Sequence, residues 1–136
     1  MIGIEAAQFG IYQELWDSLA DLSIAADRLW EGATQRNLTE FGRRLENAEE
    51  TVLHHRLLLE VNHREELEDL LDRFHEFYEG KEGLIRLRRV EPHNQELVQE
   101  VIIRNERIKN EFSGLVDSIG RSFQTQLRSG LQSEIN

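Results

Sequence analysis

Apolar residues recur three or four positions apart through most of this chain, the spacing that places them on one face of an α-helix. The first stretch with this spacing contains Ile4, Ala7, Ile11, Leu15, Leu19, Leu22, Ala26 and Leu29. The other side of the same stretch carries acidic residues such as Glu14, Asp17 and Asp21. We therefore predict a first amphipathic helix over about residues 4–30, ending at Gly32.

A second helical stretch follows, and its pattern shifts once. Its apolar face begins with Phe41, Leu45, Ala48, Val52, His55 and Leu59, and resumes at Leu67, Leu70, Phe74 and Phe77. Within the gap, Asn62 followed by Glu65 has the spacing of a helix N-cap. We predict helical structure over about residues 37–79, either as one helix with a local stutter or as two helices broken near Asn62.

Glycine and proline mark a connection before the last helix. Gly80, Gly83 and the single proline, Pro92, predict a link over about residues 80–91. Beyond it we predict a helix over about residues 93–131. Its stripe carries Val98, Ile102, Asn105, Ile108, Phe112, Leu115, Ile119, Phe123 and Leu127. Such a helix reaches on the order of 55 Å, so it outruns a first helix of roughly 40 Å.

The composition agrees with a helical protein. The chain has 136 residues, one Pro, no Cys and 39% apolar residues, whereas small β folds are rich in turn residues. Without cysteine a disulfide scaffold is excluded. We predict an all-α fold, a single helical domain over residues 1–136, built as an elongated bundle of three or four coiled-coil-like long helices.

The net charge of −10 is concentrated in the first part of the chain. Residues 1–83 hold 8 basic and 19 acidic residues, a net charge of −11, so the remainder is close to +1. Because a negative field repels phosphate, we expect no nucleic-acid partner. The longest apolar runs are far shorter than the roughly 20 residues of a membrane span, so we also expect no membrane span and a cytoplasmic protein.

Few residues offer catalytic or metal chemistry. Glu60 with His63 and Asp72 with His75 have the carboxylate–histidine spacing of a di-iron helix, but both pairs lie in one segment, whereas such a site needs several helices. No phosphate-binding loop, nucleophile elbow or zinc motif is present. We therefore predict a non-enzymatic protein with no catalytic residue, no cofactor and no metal.

Several positions have the character of interface residues. Phe9, Trp16, Trp30 and Ile103 fall outside the main apolar stripes, where they either anchor a partner or widen the core. Asn105 lies on the stripe, where a polar residue fixes the register and oligomer state of a self-associating helix, or else at its margin facing water. The seam of the last helix adds Ile108, Phe112, Leu115, Ile119 and Phe123. We predict a helical interaction (adaptor or assembly) protein that self-associates, as a homo-oligomer such as a dimer, or docks on a partner helix.

Two other functions stay open. Leu29-Trp30-Glu31-Gly32, followed at a distance by Tyr78 and Glu82, resembles the WXG100 family of helical hairpins exported by type VII secretion as dimers. The resemblance covers residues 4–82 at most, and the long helix after Pro92 departs from it. It implies a turn at Trp30 and Gly32, an export signal at Tyr78 and Glu82, and secretion by a leaderless route. The acidic first part of the chain, residues 1–83, is also typical of an inhibitor or immunity-type protein that covers a basic surface of its partner.

Overall fold

Four α-helices make up nearly the whole structure. The computed structural model describes residues 3–90, 92 and 94–135, and of these the side chains from residue 7 to residue 129. The helices are α1 (Gly3–Glu31), α2 (Gln35–His55), α3 (Val61–Arg89) and α4 (Gln95–Ile135). The predicted all-α bundle is confirmed, in the form that has four helices.

Side-chain hydrogen bonds fix the turn between α1 and α2. Thr34 Oγ1 accepts the backbone N–H of Asn37 at 3.1 Å, which makes Thr34 the N-cap of α2. Asn37 Nδ2 donates to the carbonyl oxygens of Gly32 at 2.8 Å and Arg28 at 3.3 Å. The helix therefore begins at Gln35, two residues ahead of the predicted start, and Asn37 braces the end of α1.

The second helical stretch is broken, as one of the two alternatives expected, but the break comes before Asn62. The short 3₁₀ turn Arg56–Leu58 follows α2, and Leu59 and Glu60 are extended. Asn62 already lies in the first turn of α3, and Glu60 holds the N-cap position without a side-chain cap. Leu59 is buried at this corner, which explains why the apolar spacing slips there.

The predicted link over residues 80–91 is wrong for most of its length. α3 continues through Gly80 and Gly83 and ends at Arg89. A glycine costs a helix only about 1 kcal/mol relative to alanine, and this segment buries Leu84 and Ile85. Burial of two large aliphatic side chains, at about 1.5–3 kcal/mol each, outweighs that cost.

The last helix begins later and ends later than predicted, and it is longer overall. It starts at Gln95 instead of residue 93, because Asn94 Oδ1 accepts the N–H of Leu97 at 3.1 Å and caps it. It extends to Ile135 instead of residue 131. With 41 residues, α4 spans about 60 Å and is the longest element.

The helices form an antiparallel ring in chain order, with α4 returning to α1. At one end, Tyr12 of α1 contacts His63 of α3 and Phe123 of α4. At the other end, Trp30 of α1 meets Lys81 of α3 and Lys109 of α4. The contacts between α1 and α4 are the sparsest of the four neighbouring pairs, so this side of the ring is the most open.

An aromatic cluster fills the middle of the bundle. Phe41 of α2, Phe74 and Phe77 of α3 and Phe112 of α4 pack with ring centroids 4.5–6.0 Å apart. All four side chains are buried. Such aromatic pairs contribute about 0.5–1.5 kcal/mol beyond their area, so the cluster locks α2, α3 and α4 together.

The end of α3 and the beginning of α4 form one end of the bundle. Lys81 lies over Trp30, in the last turn of α1, so the last residues of α3 and the first turns of α4 lie at the α1–α2 turn end of the bundle. We call residues 86–90 and 95–104 the tip. It exposes three apolar side chains, Val90, Leu97 and Ile103.

Candidate functional site

Four of the predicted interface residues lie in the core of a single chain. Ile108, Phe112, Ile119 and Phe123 are almost completely buried, because α3 and α1 cover the stripe that a second chain was expected to cover. A side chain without exposed area offers nothing to a partner, so we reassign these four residues to the core. Leu115 is half-buried and packs against the same core.

Asn105 corresponds to neither of its two expected roles. Its side chain is fully buried within one chain, and neither its amide nitrogen nor its oxygen has a hydrogen-bond partner among the described residues. It is packed so closely on α3 that a Cβ atom added at Gly80 would lie 1.9 Å from its Oδ1. Gly80 is therefore required for this close approach of α3 and α4.

Trp30 is half-buried under two ammonium groups. Lys81 Nζ lies 4.4 Å from the centroid of its ring and Lys109 Nζ lies 5.6 Å from it. These contacts are cation–π interactions. They occupy the ring face, so Trp30 serves the monomer more directly than a partner.

Trp16, in contrast, is available at the surface. It is 38% exposed, and Phe9, two turns earlier on α1, is 41% exposed. Both line a groove of about 520 Å³ between α1 and α4. Its apolar wall is completed by Tyr12, Gly120, Phe123 and Leu127.

Gly120 allows the six-membered ring of the Trp16 indole to approach α4 closely. A Cβ atom at this position would be 3.0 Å from Cη2 of the indole and 3.1 Å from Cζ3. Any other residue would require the ring to shift by a few tenths of an ångström, so the glycine helps to set the width of the groove. The apolar spacing does not reveal Gly120, for which the available signal in the sequence is a glycine in the middle of an otherwise strong helix.

Tyr12, which lines the groove, is hydrogen-bonded to His63 of α3. The Tyr12 hydroxyl is 2.8 Å from Nδ1 of His63 and accepts the backbone N–H of Glu60 at 3.4 Å. Burial raises the pKa of the Tyr12 phenol above its usual value. The Phe123 ring packs edge-on against both rings. This contact joins α1, α3 and α4 directly beneath the exposed aromatics.

The charged side chains at the groove cancel one another. Asp117 and Arg121 are the charged residues among its lining groups, and Gln13 and Gln124 are neutral. On a chain with a net charge of −10, this surface is unusual because it bears no net charge. The groove is therefore an apolar surface with a polar margin whose charges sum to zero.

A second surface, between α2 and α3, has the opposite character. A shallow groove of about 530 Å³ is lined by Glu46, Glu49, Glu50, Glu68 and Asp72 around Leu53, which is 68% exposed. Glu49 pairs with His75 at 2.6 Å, and Glu68 is 3.8 Å from Arg56. We call this surface the acidic face.

Three histidines, including His63 and His75 of the two carboxylate–histidine pairs, have side-chain partners within the chain. His63 bonds to Tyr12 and His75 to Glu49, while His55 bonds to Glu14 at 2.9 Å. Among the described residues, no three histidines or carboxylates lie together in a way that could hold a metal ion. In the same part of the chain no helix has the length and hydropathy to cross a membrane.

The residues of the WXG100-like motif lie in different environments. Trp30 is in the last turn of α1 and Gly32 in the α1–α2 turn. Tyr78, however, lies within α3, where its ring stacks on Phe41, and Glu82 bonds to Arg86. Comparison with protein-family models, with curated proteins and with solved structures found no match to this chain.

Proposed function

We propose that this chain is a non-enzymatic helical assembly protein that forms a dimer through the groove between α1 and α4. The observation that supports this proposal is the exposure of Trp16 and Phe9 along an apolar groove. Large aromatic side chains at the rim of a groove are the residues that most often carry binding energy at protein interfaces.

The groove suits a second copy of the same chain because it is self-complementary. A two-fold interface uses the same patch on both subunits, so the patch must hold both a protruding group and a cavity that receives it. Phe9 and the exposed part of Trp16 supply the protruding groups, and the part of the groove lined by Phe123, Gln124 and Leu127 supplies the cavity. The aromatic side chains of one copy would enter the groove of the other.

Charge also favours this face for self-association. Two copies that each carry −10 repel one another, and the repulsion is smallest where neither copy has net charge. Asp117 and Arg121 offset each other at the groove, so two copies meet there without juxtaposing like charges. The dimer should therefore persist at moderate salt, because its energy comes from apolar burial.

Sedimentation equilibrium at moderate salt tests the proposal. We expect a reversible monomer–dimer equilibrium in the wild-type protein. Trp16→Ala should weaken the dimer by about 30-fold, the effect of losing about 2 kcal/mol at an interface hot spot. Ile24→Ala is the matched control, because Ile24 is an exposed residue of the same helix that does not line the groove; it should leave dimerisation unchanged.

Fluorescence provides a second readout that does not depend on mass. In a Trp30→Phe variant, Trp16 is the one remaining tryptophan. Its emission should shift to the blue, and quenching by iodide should fall, as the concentration passes through the dimer range. A folded wild-type protein that stays monomeric throughout, or a Trp16→Ala variant that dimerises like the wild type, would contradict the proposal.

A further inference from the structure

The distribution of unpaired charges points to a second contact between copies of this chain. At the tip, Arg88 and Arg89 are exposed at the C-terminal end of α3. Neither forms an ion pair with any residue of the described part of the chain, whereas Arg86 beside them bonds to Glu82. Val90, which is 60% exposed, follows directly and adds an apolar group.

The acidic face has the complementary set of groups. Glu46, Glu50 and Asp72 are exposed and have no ion-pair partner among the described residues, unlike Glu49 and Glu68, which are paired. Glu46, Glu50 and Leu53 are spaced four and three residues apart on α2, so they form one stripe of that helix. An exposed leucine is therefore flanked by free carboxylates.

These two surfaces match in both charge and polarity. Each has an exposed aliphatic side chain, Val90 or Leu53, beside unpaired charges of one sign: Arg88 and Arg89 at the tip, and Glu46, Glu50 and Asp72 on the acidic face, where Arg56 is paired with Glu68. Arginine forms bidentate, planar contacts with carboxylates, so two free arginines fit a row of free carboxylates. Within one chain the two surfaces cannot meet, because the tip lies at the α1–α2 turn end of the bundle and Leu53 near the opposite end.

We propose that the tip of one copy docks on the acidic face of another, with Arg88 and Arg89 against Glu46, Glu50 and Asp72, and Val90 against Leu53. The contact joins two different patches, so it is heterologous and continues from copy to copy, as a ring or a chain. It extends the proposed self-association to a second surface and does not require the α1–α4 groove.

The dependence of assembly on salt concentration distinguishes this contact from the groove dimer. We expect the weight-average mass in sedimentation to exceed that of a dimer at low salt and to fall to the dimer at moderate salt, since exposed charges are screened. Trp16→Ala should lower the mass at moderate salt yet keep the salt-sensitive assembly. A failure of the groove and a failure of the tip contact thus give different results.

Paired charge reversals identify the two surfaces. Arg88→Glu/Arg89→Glu makes the tip acidic like the face, and Glu46→Arg/Glu50→Arg/Asp72→Arg makes the face basic like the tip, because Arg56 also lines the face. Each of these variants alone should lose at least tenfold in low-salt association. An equimolar mixture should regain it, because every tip then meets a face of opposite sign. Arg28→Glu/Arg36→Glu is the matched control: both arginines are exposed and unpaired near the α1–α2 turn, and assembly should survive.

Three results would overturn the inference. The mass could be independent of salt in the wild-type protein, which would mean that no such contact forms. The separate variants could assemble like the wild type. Finally, the mixture could fail to recover although both variants are folded by circular dichroism. That result would mean that the tip and the acidic face do not meet each other, and would leave the acidic face to a foreign basic protein.

Discussion

Lys81 lies directly over the indole ring of Trp30, with its Nζ 4.4 Å from the ring centroid. The side chain is 4% exposed, and it forms no ion pair with a described residue. Burial, reinforced by the positive charge of Arg88, lowers the pKa of Lys81 from 10.5 to about 8. A buried ammonium is thus held mainly by a ring face, a contact that contributes about 0.5–2 kcal/mol.

Replacement of this ammonium should stabilise the protein. A pKa lowered from 10.5 to about 8 corresponds to a cost of about 3 kcal/mol in the folded state at neutral pH, and loss of the cation–π contact offsets part of the gain. We expect Lys81→Met to raise the free energy of unfolding by about 1–2 kcal/mol, measured by chemical denaturation at pH 7. Lys109→Met, which alters a partly exposed ammonium over the same ring, should change it by less than about 0.5 kcal/mol. A less stable Lys81→Met variant would contradict this account.

The lowered pKa of Lys81 predicts how the free energy of unfolding depends on pH. Between pH 8 and 10.5 the folded state has lost the Lys81 proton while the unfolded chain still binds it. The unfolded state then binds more protons, so the free energy of unfolding rises with pH across this window. The difference between wild type and Lys81→Met should accordingly narrow from pH 8 to pH 10. Equal slopes for the two proteins would show that Lys81 titrates normally.

The apolar periodicity correctly predicted those parts of the fold in which one unbroken apolar stripe lies along one unbroken helix. Leu15, Leu22 and Leu29 are fully buried along α1, as their spacing predicts. The pattern could not show what covers a stripe, so Phe112 was assigned to a partner although α3 of the same chain covers it. The α1–α4 groove depends on how closely two helices approach, and that distance is set by Gly120 against Trp16, a tertiary relation that spacing does not reveal.

Gly80 and Gly83 have the same sequence signal but different roles in α3. A Cβ atom at Gly80 would clash with the Asn105 amide, whereas one at Gly83 would meet nothing within 4 Å. We expect Gly83→Ala to stabilise the protein by about 0.5–1 kcal/mol and Gly80→Ala to destabilise it by about 1–3 kcal/mol, as measured by thermal and chemical unfolding.

Truncation of Asn105 tests the cause of that difference. Asn105→Ala removes the atoms that a Cβ at Gly80 would strike, together with two buried polar atoms that have no hydrogen bond. In this background Gly80→Ala should cost little or become stabilising, a coupling of about 1–3 kcal/mol in the double-mutant cycle. If the effects of the two substitutions on the free energy of unfolding were additive, the cost of Gly80→Ala would not come from its contact with Asn105.

The Tyr12 hydroxyl should contribute measurably to the junction of α1, α3 and α4. It is 2.8 Å from His63 Nδ1 and accepts the Glu60 N–H, so Tyr12→Phe leaves two buried or partly buried groups without that partner. We expect a loss of about 1–2 kcal/mol in the free energy of unfolding, measured by denaturant titration at pH 7. Tyr78→Phe is the matched control, because the Tyr78 hydroxyl forms no hydrogen bond with a described residue, and it should be nearly neutral. If both variants lost the same stability, the effect would reflect removal of a phenolic oxygen in general instead of the contact with His63.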